Sequence, residues 1–392
     1  MKRMITKVIY FDNNATTAVD PEVFKAMEPF LKKLYGNPSS AHKFGGQVAY
    51  SVMKAREQVA SLLNVSHEEI IFTSCGTESD NSAINSAINS LPKRKKIITT
   101  NIEHPAIMNH VQILKSKGYI VKEIPVDTNG NIIMSKLEEE IDENTAVVSI
   151  MWANNEIGNI YPVKHIAKMT KQYGAIFHTD AIQVVGKIPL DLKNSNIDML
   201  SISGHKFHAP KGIGALYVKK NTDFYPYIIG GHQEKGNRSG TENVAGIVAI
   251  GKASELANKY MEYENKEVKD IRNYFENSII KSIEDVKING DIKNRTPNTS
   301  NISFGFVEGE SILILLDKYG IAASSGSACT SGNLEPSHVI KAMKVPNEFL
   351  HGTIRFSISR FNTKSEADIV LEKLVMIIKK LRRLSPIIKR DK

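Results

Sequence analysis

The spacing of apolar and polar positions changes along the chain, and the change predicts its layout. Between residues 69 and 218, short apolar runs alternate with amphipathic stretches of helical period. Ile70-Ile-Phe-Thr73, Lys96-Ile-Ile-Thr-Thr100, Ala146-Val-Val-Ser-Ile-Met151, Ile176-Phe-His-Thr-Asp180, Ile197–Ile202 and Ala215-Leu-Tyr-Val218 read as strands. Glu78–Ile88, Ile107–Lys117 and Val163–Tyr173 read as helices, the last two stopped by Gly118 and Gly174. Upstream, Pro21 opens a helix with apolar positions at Val23, Met27, Phe30 and Leu31, and a longer helical pattern runs from His42 to Leu63. This alternation argues an α/β fold, a mostly parallel sheet covered by helices.

The pattern then changes. Gly230-Gly231 and Gly236–Gly240 form a long glycine-rich loop, and a helix from Asn243 continues through a charge-rich stretch to Ile283. Beyond it come a strand (Asn301–Phe304), a helix (Gly309–Tyr319), a helix opened by Leu334-Glu-Pro336, a strand (Ile354–Ile358) and a last helix (Lys364–Leu384). This remainder reads as a smaller α+β domain, with the boundary near residue 260. A chain of 392 residues has room for two such cores.

Composition excludes several classes of function. No apolar run reaches the roughly 18 residues of a membrane span, and the N-terminus lacks a signal-peptide core, so the expected location is cytoplasmic. Two cysteines far apart, Cys75 and Cys329, make no disulfide framework and leave room for a reactive thiol. A net charge of +9 and a basic end (Lys379-Lys-Leu-Arg-Arg383) favour anionic partners. The basic residues are spread over helix faces and no nucleic-acid motif accompanies them, so they read as a solvated surface, with no nucleic-acid partner expected.

The polar residues that carry chemistry gather at strand ends. Ser201-Ile-Ser-Gly-His-Lys206 places Lys206 at the carboxyl edge of the sheet, where ligands bind in such folds. His178-Thr-Asp-Ala-Ile-Gln183 brings Asp180 and Gln183 to the same rim. Ser74-Cys-Gly-Thr77 opens a helix whose unpaired N–H groups suit a phosphate, with Gly76 admitting close approach and the Thr77 hydroxyl adding a bond. Ser203 and His205 extend that cradle. Asn101-Ile-Glu-His-Pro105 sets His104 at the edge, and Trp152-Ala-Asn-Asn-Glu-Ile-Gly158 aims Asn155 there. A lysine, an acid, an anion cradle and a stackable ring are what pyridoxal phosphate requires. His205 and His208 lack the third ligand of a zinc site. Arg355 offers a fork for a substrate carboxylate, with a surface ion pair as the alternative. Cys329, in Ser324-Ser-Gly-Ser-Ala-Cys-Thr-Ser-Gly332, has small neighbours on both sides, the setting of an exposed nucleophilic thiol.

These residues resemble the cysteine desulfurases, the pyridoxal-phosphate enzymes that supply sulfur for iron–sulfur clusters. The resemblance runs from Asp12-Asn-Asn-Ala-Thr-Thr17 to about Arg383, and its most specific parts are residues 76–81, 154–158, 203–206, 238–241 and 324–331. It implies fold type I, with a large domain (14–260) built on a mostly parallel seven-stranded sheet and a small domain (1–13 with 261–392). It also implies a homodimer. By motif, Lys206 becomes the Schiff-base lysine and Asp180 the partner of the pyridine nitrogen. Gln183 meets the ring hydroxyl, while His104 stacks on the ring and moves protons. Gly76, Thr77, Ser203 and His205 hold the phosphate, with Thr241 of the second subunit. Asn155 contacts the cofactor and, with Arg355 and Asn13, the substrate carboxylate. Cys329 receives the sulfur of L-cysteine as a persulfide and can transiently ligate an iron–sulfur cluster. The acceptor implied is an iron–sulfur scaffold or another sulfur-accepting protein. A selenocysteine lyase or an aminotransferase on the same fold is the rival reading. The chain departs from the family's usual residues at Cys75, Ala209 and Lys344, and its short basic end tilts the resemblance toward the nitrogen-fixation type.

Overall fold

The computed structural model describes residues 8–325 and 335–384. From the N-terminus the chain forms β1 (Ile9–Tyr10), α1 (Pro21–Lys32), α2 (Lys43–Leu63), β2 (Ile70–Thr73), α3 (Gly76–Ser90), β3 (Lys96–Thr100), α4 (Pro105–Ser116) and β4 (Ile120–Ile124). It continues through α5 (Met134–Glu140), β5 (Thr145–Ser149), α6 (Val163–Gln172), β6 (Ile176–Asp180), β7 (Met199–Ser203) and β8 (Gly214–Val218) to α7 (Val244–Tyr263) and α8 (Lys269–Ser282). The last part holds β9 (Val286–Asn289), β10 (Thr299–Phe304), α9 (Gly309–Lys318), β11 (Ile321–Ala322), α10 (His338–Ala342), α11 (Asn347–Leu350), β12 (Thr353–Ser357) and α12 (Lys364–Leu384).

Seven strands form one sheet in the order β2-β8-β7-β6-β5-β3-β4, and only β8 runs against its neighbours. The central strands are buried along almost their whole length, as strands covered on both faces must be, so their sequences read as apolar runs. Edge strand β4 escaped sequence reading because Val121, Lys122 and Glu123 stay wet and only Ile124 is buried. All four strands that run into the site (β3, β5, β6 and β7) end at one rim, since they are parallel.

A second core lies against β12-β10-β9, an antiparallel sheet flanked by α8, α9 and α12. Phe275 sits edge-on to both Phe11 and Phe356, with ring centroids 5.6 and 5.1 Å apart. Ile9 and Phe11 therefore belong to this core, and β1 pairs with β11. The predicted helix from Asn243 to Ile283 is two helices joined without a break by a π-helical turn, Glu264–Val268. One expectation shifts. The helix placed at Pro336 starts instead at His338, because the Ser337 hydroxyl accepts from Val339 N–H and so caps it there.

Candidate active site

The strand ends, the N-terminal turn and β12 enclose a cavity of about 400 Å³. Its lining includes Gly76, Thr77, His104, Asn155, Asp180, Gln183, Ser203, His205, Lys206 and Arg355, ten residues that the sequence placed at the site. Cys75 lines it as well. Cys329 lies outside the described residues.

Each group is held by its element. The first turn of α3 faces the cavity, and its cap residue, Cys75, makes no side-chain capping bond, which leaves early N–H groups for an anion. A Cβ at Gly76 would stand 2.1 Å from Ile182 Cδ1, so any larger residue there would first have to displace the Ile182 side chain. His104 caps α4, its Nδ1 accepting from Ala106 N–H at 3.1 Å, which places the ring proton on Nε2. Burial, and then the charges of Lys206 and His338, pull its pKa down to about 4, so the ring is neutral near pH 7. His205 is lowered similarly, to about 4, by burial and by the charges of Lys206, Lys211 and Lys187. Its Nδ1 lies 3.1 Å from Thr16 Oγ1.

Asp180 ends β6 and accepts from Ile182 N–H at 2.9 Å. Burial pushes its pKa up to about 6, against the pull of that bond and of Lys206. Behind it stand two further buried acids. Burial holds Asp80 well above the usual carboxylate range, with the Asp180 charge adding to the effect. Glu103 rises to about 8 despite accepting from Thr100 Oγ1 at 2.6 Å and from Met151 N–H. His178, whose ring nitrogens meet Ser149 Oγ and Ser201 Oγ at 2.9 Å each, is held neutral by burial.

Lys206 Nζ donates to the carbonyls of Asn14 (2.7 Å) and Ala15 (2.8 Å). Arg355 is 2% exposed, so the surface ion pair weighed for it does not describe it. Its Nη1 donates to Asn155 O at 3.0 Å and its Nη2 to Asp12 Oδ1 at 2.8 Å. Its Nε is buried and meets no acceptor among the described residues.

Two expected residues stand elsewhere. Asn13 does not line the cavity, because its amide is spent on Tyr10 O, Ser357 O and Asn362 Oδ1. The neighbouring Asn14 lines it instead, a difference the Asn-Asn pair could not reveal because one turn sends the two side chains apart. Thr241 is exposed and lies away from this cavity. Its loop is clamped by two ion pairs: Arg56 Nη2 to Glu234 Oε1 at 2.6 Å, and Arg238 Nε to Glu78 Oε1 at 2.9 Å. Glu78 also accepts from Ser74, so that clamp ties the loop to the turn that opens α3. Among the described residues no group of three or more potential ligands could hold a metal ion.

A mostly parallel sheet with a lysine, an acid and an anion cradle at one rim defines a pyridoxal-phosphate enzyme of fold type I. Residues 9–370 match the class-V aminotransferase family. A cysteine desulfurase of Nostoc sp. is 54% identical over 97% of this chain and 95% of its own length. The cysteine desulfurase NifS of Azotobacter vinelandii is 52% identical over 96% and 94%. A solved NifS-like protein superposes with a TM-score of 0.90 at 39% identity, covering 96% of this chain and all of the other. SspA, solved in complex with cysteine, gives a TM-score of 0.80 at 33% identity over 91% of this chain and all of its own. The chain belongs to the class-V aminotransferase family and, within it, to the cysteine desulfurases.

Proposed function

We propose that this chain takes the sulfur of L-cysteine onto Cys329 as a persulfide and releases L-alanine. The observation that carries the proposal is the meeting of Lys206, Asp180 and the incompletely bonded fork of Arg355 in one cavity. The residues fit pyridoxal phosphate: the uncapped start of α3 with Gly76, Thr77, Ser203 and His205 for the phosphate, Asp180 for the ring nitrogen, and Gln183 for the ring oxygen. His104 would stack on the ring, and Lys206 would make the covalent link. When bound, the cofactor supplies an electron-accepting ring that makes the substrate Cα proton removable.

Arg355 and Asn155 orient the substrate carboxylate, and the Lys206 amine takes the Cα proton. His104, neutral at physiological pH, has one N–H and no charge to compete with that amine. The Cys329 sulfur forms an S–S bond while the substrate Cβ–S bond breaks and leaves its electron pair on carbon; protonation of that carbon and return of a proton to Cα complete alanine. L-cysteine and a thiol thus become alanine and a persulfide, with no external oxidant. An iron–sulfur scaffold or another protein is the proposed acceptor, and Cys329 the residue that would meet any cluster in transit.

A homodimer in which Thr241 completes the partner's phosphate site is part of the same reading. Large side chains left exposed, among them Tyr35, Tyr50, Tyr227 and Ile229, offer surface for a second copy. No helix of the described residues is long and apolar enough to cross a membrane.

Cys329→Ser tests the assignment. Loaded with pyridoxal phosphate, it should bind L-cysteine and change the cofactor's visible spectrum, yet release no alanine. Alanine formation at the normal rate would falsify the role given to Cys329.

A further inference from the structure

The turn after β6 carries a lysine that the mechanism leaves unused. Gly186 sits at φ +75°, where an added Cβ would meet Phe207 Cβ at 2.9 Å. Glycine therefore makes this turn possible, and the next residue, Lys187, is only 6% exposed. Its Nζ donates to Gln183 Oε1 at 2.7 Å and approaches Asn14 Oδ1 at 3.4 Å. Asn14 is itself fixed: its Oδ1 accepts from Asn298 Nδ2 (2.9 Å), and its Nδ2 donates to Thr299 Oγ1 (2.8 Å) and Asn155 O (3.1 Å).

The consequence falls on Gln183. A glutamine amide has nearly the same shape in either orientation, so its neighbours choose which end faces where. An ammonium has only donors, and a neutral amine still has two N–H groups. Beside Lys187 the Gln183 oxygen is held, and the NH₂ group turns away to Asn14 O at 3.1 Å, the carbonyl that also receives Lys206 Nζ. A buried lysine is a costly way to fill space that a methionine would fill. The charged groups that act on it are Lys206 and Arg355, which oppose its charge, and Glu264, which favours it.

We propose that Lys187 is a positioning residue: it locks the Gln183 amide so that an N–H, rather than a carbonyl oxygen, meets the ring oxygen of the cofactor. This rests on the reading of the cavity as a pyridoxal-phosphate site. With the lock in place, the cofactor's ring oxygen keeps a donor through the whole cycle. Without it only the bond to Asn14 O opposes a flip that would turn an acceptor toward that oxygen, where two acceptors repel.

The test uses the full-length, cofactor-loaded protein and reads the pH at which its visible absorption changes. A donor to the ring oxygen favours the anionic form. Lys187→Met should therefore move the transition upward by about one pH unit, and Gln183→Ala should move it similarly. The double variant should move it no further than Gln183→Ala alone. Shifts that add would mean that Lys187 acts by its own charge, and would overturn the proposal, as would a Lys187→Met transition at the wild-type pH. Lys187→Gln, which keeps an N–H donor without the charge, should hold the wild-type transition; a shift as large as that of Gln183→Ala counts against the proposal should Lys187→Met not fold. A wild-type chain that takes up no pyridoxal phosphate at all would instead defeat the parent reading.

Discussion

The two sides of the cavity handle buried charge in opposite ways. Beneath the sheet rim, Asp80, Asp180 and Glu103 are buried within one neighbourhood, and the ion-pair neighbour of Asp80, His178 Nε2 at 3.7 Å, is itself held neutral. Across the cavity, on the second core, two buried arginines each meet an acid. Arg355 meets Asp12, and Arg295 grips Glu276 through two bonds of 2.5 and 2.6 Å. Burial without a counter-charge stores a proton on an acid, as Glu103, raised to about 8, illustrates. Burial beside one sets a direct ion pair against the cost of desolvation. The first device suits a place where a proton is held or moved, and the second suits a fixed carboxylate anchor.

Variants can break this contrast. Lys206→Ala removes the cation facing the acidic side and should lower alanine formation by about 10²–10⁴-fold, the range for loss of a positioned base; a near-normal rate in a coupled alanine assay would refute the role given to the amine. Arg295→Met leaves Glu276 buried and unpaired, and should cost about 3–5 kcal/mol in urea unfolding with turnover little changed. Asp80→Asn exchanges one neutral group for another, so its cost should stay near 1 kcal/mol. A loss as large as that of Arg295→Met would show that Asp80 is carried as an anion and would erase the contrast. The last effect concerns pH. His104 has a folded pKa of about 4 against 6.5 unfolded, so between those values the unfolded chain binds a proton that the native chain refuses. Relative to His104→Gln, the cofactor-free wild type should lose stability as pH falls from 6.5 towards 4; parallel stability curves would show that the ring is not held neutral.

Much of the rim was legible because parallel strands deliver their ends to one place. Lys206, Asp180, Asn155 and His104 each follow an apolar run, and the run alone located them. What stayed hidden depends on side-chain direction or on distance along the chain. Asn14 and Lys187 look like any polar residues until the turn geometry turns them inward. Asp80 lay in a motif that was read for its glycine and threonine, and nothing in a helix sequence says that its acid faces a buried strand. Strand β4 was invisible for the opposite reason, since its wet face breaks the apolar run.

The bond from Arg355 to Asp12 joins residues 343 positions apart, and Asn13 reaches Ser357 across 344. A protein made from its N-terminus outward cannot assemble this pocket until nearly all of it has been synthesised. The opening segment must wait, unpaired, for a strand that arrives last. The vitamin-derived cofactor should consequently be captured after the ribosome has finished with β12, and a nascent chain halted before that strand should hold it poorly even with the sheet complete.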